Sequence, residues 1–311
     1  MKRILITGGL GNLGSWITGF LFNKGYAVTT FSSRNRSVLS NLSFERIFGD
    51  INDENQVKDL LKQGPWDIII HLASINEGNV PGYARQALNI NTWGTRNLLQ
   101  AIADSSPSTH FIYFSTFHIY GASSGNIIEE VSQPAPKNDY AATHLFAEYY
   151  VKQFNHTHSI PYTIFRLTNS YGSPREITGT KWYLILNDLA RMAVQENKIK
   201  LNSNGLSQRD FIWMGDVCEV VDKCIVKGTA NTIFNLGNGN SISMIDVANI
   251  VQKAYTDYFS VTVPIQKNES DKNTYESLQV SIEKLQQWIN FTPQNKMYDE
   301  AIAIFELLRK K

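Results

Sequence analysis

Three groups of residues in this chain have types and spacings suited to chemistry. The first is Gly8-Gly9-Leu10-Gly11-Asn12-Leu13-Gly14, entered directly from the apolar run Ile4-Leu5-Ile6-Thr7. The glycines let the backbone turn tightly and leave no Cβ to hold a ligand's phosphates away. Leu13, Trp16, Ile17, Phe20 and Leu21 then recur at the spacing of one helical face. Strand, glycine turn and helix N-terminus together make an anion site, because free N–H groups and the positive end of the helix dipole face one point. Gly8, Gly11, Asn12, Leu13 and Gly14 are therefore candidates for holding the pyrophosphate of a dinucleotide. The second group is Ser115-Thr116 with Tyr140 and His144, the last two one helical turn apart. A hydroxyl at a strand end and a tyrosine on the next helix can converge on one substrate oxygen. The third group is polar and cationic: Ser32-Ser33-Arg34, then Arg175 and Arg209, where a planar guanidinium suits a phosphate.

The elements that must position these residues are legible as an alternation. Residues 26–31 read as a second strand, after Gly25 closes the first helix, and 44–48 as a third, ending at Gly49-Asp50. Residues 67–73 read as a fourth, with a continuous apolar centre that suits a parallel strand covered on both faces. Residues 110–115 and 162–166 make a fifth and a sixth, and helical patterns fall between at 55–62, 91–103 and 140–155. This rhythm predicts an α/β fold, a doubly wound parallel Rossmann sheet with helices on both faces. After Tyr171-Gly172-Ser173-Pro174 the rhythm breaks, and it resumes at 209–214 and 232–236. The expected division is a dinucleotide-binding domain of residues 1–170 plus about 209–237, and a smaller C-terminal substrate-binding subdomain of about 171–208 and 238–311.

Composition narrows the partners. A formal net charge of +1 on 311 residues gives no reason to expect nucleic acid or an anionic membrane surface. No apolar run approaches the roughly 20 residues of a membrane span, and the first apolar stretch ends at Gly8-Gly9, too early for a signal peptide. Cys218 and Cys224, on an expected helix, read as packing residues rather than a disulfide or metal pair, and no metal site is expected. The expected compartment is the cytoplasm.

The spacing Gly8-x-x-Gly11-x-x-Gly14 is similar to that of the short-chain dehydrogenase/reductase superfamily. Further matches are Gly49-Asp50-Ile51-Asn52-Asp53, His71-Leu72-Ala73, Asn91-Thr92-Trp93-Gly94-Thr95, Ser115-Thr116 with Tyr120-Gly121, and Tyr140. Arg166-Leu167-Thr168-Asn169-Ser170-Tyr171-Gly172, Arg209-Asp210-Phe211 with Asp216-Val217, and Phe234-Asn235-Leu236-Gly237 follow. Over nearly its whole length the chain resembles an extended short-chain dehydrogenase/reductase of the NAD(P)-dependent epimerase/dehydratase group, whose substrates are mostly nucleotide sugars. The resemblance implies that Tyr140 is the acid/base for a sugar hydroxyl or ketone and that Thr116 hydrogen-bonds the same oxygen. It also implies cofactor contacts from Asp50, Ile51, Leu72 and Ala73, and substrate contacts from Asn169 and Arg209. By their places at the strand end and in the less regular insert, Ser115, His118 and Arg175 are further substrate-contact candidates, Arg175 against the alternative of surface charge. A homodimer through the helices at 91–103 and 140–155 is implied as well.

Two departures from the family pattern carry information. The family places a lysine four residues after the tyrosine, which lowers the phenol's pKa and binds the nicotinamide ribose; here that residue is His144. His144 is read as the lysine's substitute, against the alternative of a packing residue in a non-catalytic, dinucleotide-binding protein. The group's 4,6-dehydratases carry Asp-Glu after Ser-Thr, whereas this chain has Phe117-His118, so ordinary dehydration is not expected. His118 is read either as a second acid/base or as a polar side chain beside the cleft. Counting from Gly14, the place of the acidic residue that selects NAD falls on Ser32, followed by Ser33-Arg34. That favours NADP(H) over NAD(H), and with it a 4-keto nucleotide-sugar reductase over an epimerase with tightly bound NAD.

Overall fold

The computed structural model describes residues 1–76, 82–121, 127–177 and 181–309. Its strands in chain order are β1 (Arg3–Thr7), β2 (Ala27–Ser32), β3 (Glu45–Phe48), β4 (Ile68–His71), β5 (His110–Thr116), β6 (Ile127–Ile128) and β7 (Tyr162–Leu167). They continue as β8 (Asn169–Tyr171), β9 (Ile199–Lys200), β10 (Gln208–Trp213), β11 (Thr232–Leu236), β12 (Ser241–Ser243), β13 (Ile265–Gln266) and β14 (Gln279–Val280). The helices are α1 (Asn12–Asn23), α2 (Glu54–Lys62), α3 (Tyr83–Ala87), α4 (Gly94–Ser105) and α5 (Asp139–His158). The rest are α6 (Ile185–Glu196), α7 (Met214–Lys227), α8 (Met244–Phe259), α9 (Glu283–Ile289) and α10 (Met297–Arg309).

The central sheet has seven strands in the order β11-β7-β5-β4-β1-β2-β3, and every pairing in it is parallel. Strand alternation sends Ile4, Ile6, Ile70, Ile112 and Phe114 to one face, under α1, α7 and α9. Leu5, Ile69, Phe111 and Tyr113 go to the other, under α2, α4 and α5. The strands are apolar on both faces because helices cover both. The order reverses between β1 and β4, which opens a crevice at their carboxyl ends, where such folds bind ligands.

The helix expected at 91–103 is divided: a π-helical turn spans Leu88–Trp93 and the α-helix begins at Gly94. The Asn91 amide explains the wider turn, since it exchanges hydrogen bonds with the backbone of Ile75 and donates to Thr143 Oγ1 at 3.0 Å. The strand expected to resume at 209–214 forms as β10, but it does not extend the central sheet. It pairs parallel with β8 and antiparallel with β12 in a separate three-stranded sheet. Residues 282–291, expected in the substrate half, pack instead into the core under α7. The other C-terminal helices, α6, α8 and α10, share a separate core with Leu186, Val251 and Phe305. Cys218 and Cys224 are both free and buried in the α1/α7 core. Among the described residues no helix is long and apolar enough to cross a membrane.

Candidate active site

The glycine turn forms as its spacing predicts. Gly8 has φ +69°, a conformation that favours glycine, and Gly11 N–H donates to Gly8 O at 2.8 Å. A Cβ on Gly14 would lie 2.1 Å from Gly8 O, so α1 reaches β1 only because residue 14 has none. Gly11 caps α1 without a side chain, which leaves the first-turn N–H groups facing the crevice. Across it, Leu72 N–H donates to Thr7 O at 3.0 Å, and the backbone of Leu72 and Ala73 abuts Gly8. These features fit a dinucleotide laid over the turn.

At the end of β2 the Ser32 hydroxyl is buried without a hydrogen-bond partner among the described residues, while Ser33 and Arg34 are exposed. Arg36 reaches back to line the cleft beside Gly11, Asn12 and Ser15, 3.9 Å from the Glu176 carboxylate. Asp50 is exposed and ties down Asn52, whereas Ile51 is buried behind it, with its carbonyl receiving Asn97 Nδ2.

Thr116 ends β5 and caps the short 3-10 turn Phe117–Tyr120, accepting His118 N–H at 3.2 Å. Tyr140 sits in the first turn of α5, which Asn138 caps through its side chain. Burial pushes the Tyr140 phenol up to about 12; the neighbouring Thr116 hydroxyl pulls it down, and the phenols of Tyr83 and Tyr183 push it up. The His144 ring meets the Tyr140 ring edge-on, 4.6 Å between centroids. Its Nδ1 lies 2.7 Å from the Tyr113 hydroxyl, and its Nε2 is buried with no partner among the described residues. Burial, reinforced by His118, pulls the His144 imidazole down to about 3, so it is neutral at neutral pH. An orphaned nitrogen beside Tyr140 fits a ribose hydroxyl of the same dinucleotide. His118 stands at the solvent-facing edge of the site, 6.1 Å from the Tyr140 ring, with its pKa lowered by partial desolvation of the ring and then by Arg209.

Ser115 departs from expectation. Its hydroxyl is buried and donates to Glu148 Oε1 at 2.6 Å, so a substrate does not reach it. Strand parity is the reason: Tyr113 and Ser115 share a face and meet His144 and Glu148 of α5. Two strand residues rise about 6.6 Å and four helical residues about 6 Å, so the two pairs match as rungs. Glu148 also takes a two-pronged ion pair from Arg166, at 3.0 and 2.8 Å, and Arg166 donates to the Tyr120 hydroxyl at 2.8 Å.

Of the expected substrate contacts, Arg209 is exposed on β10 and Asn169 is tied to Asp210 O at 2.9 Å. Arg175 stands apart from them, its guanidinium 4.1 Å from the Trp16 ring and lining the cleft at the glycine turn. Glu300 holds that loop by accepting Ser173 N–H at 2.6 Å and Trp213 Nε1–H at 2.8 Å. Tyr113, Glu148 and Glu300 were not legible as site residues. For the first two, strand parity and the four-residue step after His144 were the usable signal.

The NAD dependent epimerase/dehydratase family matches residues 4–237. The dTDP-D-glucose 4,6-dehydratase of Mus musculus is 28% identical over 258 residues, covering 79% of this chain and 71% of that protein. The low-salt glycan biosynthesis protein Agl12 of Haloferax volcanii is 27% identical over 263 residues, 81% of this chain and 82% of its own. Among solved structures, UDP-glucose 4-epimerase from Bifidobacterium longum, in complex with NAD+ and UDP, superposes with a TM-score of 0.85 at 20% identity. That match spans 100% of this chain and 99% of the other, and establishes the fold. The chain therefore belongs to the NAD dependent epimerase/dehydratase family, an enzyme of the extended short-chain dehydrogenase/reductase type.

Proposed function

We propose that the protein reduces a 4-keto nucleotide sugar with NADPH, using Tyr140 as the proton donor and Thr116 as the second hydroxyl on the ketone oxygen. The observation that carries this reading is the neutral surroundings of Tyr140. Reduction needs a protonated acid, whereas an epimerase or dehydratase must first oxidise a sugar hydroxyl and so needs a phenolate base. Burial pushes the phenol up to about 12, so at pH 7 Tyr140 rests protonated. A reduced dinucleotide held by the glycine turn and by His144 would supply the hydride. As the carbonyl carbon gains its C–H bond, Tyr140 passes its proton to the oxygen, and solvent reprotonates the phenolate. Phe117, buried where a dehydratase would carry an acid, cannot protonate a leaving hydroxyl.

Ser32, Ser33 and Arg34 support NADP(H), having no carboxylate among them to repel a 2′-phosphate. Glu176 beside Arg36 favours the second reading, an epimerase with tightly held NAD, because it occupies a guanidinium that a phosphate would use. His118, Asn169 and Arg209 would meet the sugar diphosphate, with residues 171–208 and much of 238–311 forming the substrate half. Leu88, Trp93, Phe146 and Tyr149 expose apolar surface along the π turn and α5, which supports a homodimer through that face.

The test is to release and identify any bound dinucleotide, then follow NADPH consumption against a panel of 4-keto nucleotide sugars. Consumption abolished by Tyr140→Phe supports the reductase. Co-purifying NAD with sugar isomerisation and no net consumption moves the assignment to the epimerase, and binding without turnover defeats both.

A further inference from the structure

Tyr113 lies inside the sheet, its ring centroid 5.8 Å from that of His71 and 5.9 Å from that of His144. Among the described residues, the bond to His144 Nδ1 is the only hydrogen bond its hydroxyl makes. Two proton arrangements could fill that 2.7 Å contact. If Nδ1–H donated, the phenol proton would be buried without an acceptor and Nε2 would be a buried bare lone pair. If the phenol donates, one bond satisfies both the hydroxyl and Nδ1, and a single donor, Nε2–H, is left over. Every unmade buried hydrogen bond carries a desolvation penalty, so the second arrangement prevails.

Among the described residues no cation faces the imidazole to change this. Tyr140 meets it from its own helix, Tyr113 from β5, His71 from β4 and His118 from the turn after β5. Burial shifts His71 and His144 toward their neutral forms, and the more exposed His118 is shifted the same way by partial desolvation and by Arg209.

We propose that Tyr113 is a positioning residue: its hydroxyl locks His144 as the Nε2–H tautomer, which offers one fixed hydrogen-bond donor to a ribose hydroxyl oxygen of the dinucleotide. This rests on the proposed function only in requiring that a dinucleotide bind at this place. The lock also closes a route. An imidazole relays a proton by giving one from Nε2 while taking another at Nδ1. Here the second proton would have to come from Tyr113 and leave a phenolate. Burial, with Glu148 nearby, holds that phenol well above its usual range. His144 is thus a fixed donor and not a shuttle.

The experiment is nitrogen NMR on protein labelled with ¹⁵N-histidine, with the His144 signals assigned by their loss in His144→Gln. The expected wild-type spectrum has Nε2 protonated and Nδ1 bare. In Tyr113→Phe the two tautomers should mix, and the Kd for NADPH should rise about three- to tenfold, the size of one neutral hydrogen bond. The same Kd series is run in a His144→Gln background, where Tyr113→Phe should change nothing further. An Nδ1–H tautomer in the wild type overturns the proposal. So does a loss of affinity on Tyr113→Phe that is the same with and without His144, which would mark a merely structural role. If the tautomer and affinity results hold while no keto sugar is reduced, the reductase reading fails and this one stands.

Discussion

Replacing His144 by lysine should return a cation to the neighbourhood of Tyr140, and the size of the effect follows from the geometry. The two rings are 4.6 Å apart. A unit positive charge at that separation, at an effective dielectric constant of about 20, favours the phenolate by about 3.6 kcal/mol, or roughly 2.6 pH units. Burial of the new ammonium takes back part of this, so the expected outcome is a fall of at least about one unit in the Tyr140 pKa from its value near 12. The assay is ¹³C NMR of ring-labelled tyrosine in the protein without ligands, the Tyr140 resonance being identified by its loss in Tyr140→Phe. It needs no knowledge of the substrate. The same variant should keep or raise turnover, and most in the direction that oxidises an alcohol, because that direction uses the phenolate. His144→Ala should lose activity. If Tyr140 titrates at the same pH in the wild type and His144→Lys, electrostatic control by residue 144 is wrong. If it titrates near neutral pH in the wild type, the assignment of Tyr140 as a resting acid goes with it.

The protein should lose stability in mild acid. His71 and His144 titrate at about 3 and His110 at about 4 in the folded chain, against 6.5 for an unperturbed imidazole. These depressed values contribute stability above pH 6.5 that disappears as pH falls and the unfolded chain takes up protons, at roughly 1.4 kcal/mol per pH unit for each imidazole. Denaturant midpoints unchanged between pH 6.5 and 5 would contradict this. Glu148→Gln should cost about 3–5 kcal/mol, because it strands the buried Arg166 guanidinium. A change below about 1 kcal/mol in urea unfolding would mean that water reaches the pair. Gly14→Ala should abolish dinucleotide binding, since its Cβ would meet Gly8 O at 2.1 Å. Gly19→Ala, in the same helix but with only ordinary contact to Leu39, should leave binding intact and raise stability by about 0.5–1 kcal/mol. Matching binding isotherms for the two variants would break the argument.

Local pattern was enough for what depends on neighbours in the chain. The glycine spacing at 8, 11 and 14, the apolar runs of β1, β4 and β5, and the placement of Tyr140 and His144 on one helical face are set by periods of two and 3.6 residues. From these the sequence by itself indicated a doubly wound parallel sheet and a glycine turn suited to a dinucleotide, and the family resemblance added Tyr140 as the expected acid/base with His144 in place of the usual lysine. Only the tertiary structure decided that Ser115 turns to Glu148 and Arg166, that Tyr113 claims His144, and that Arg175 stacks on Trp16 at the cofactor end. It also decided that β10 leaves the central sheet. The reason is common to all four. Each joins groups 18 to 159 residues apart, and such pairs are chosen by strand order and by which helix lies over which strand. They are not chosen by the local propensity that a sequence pattern records.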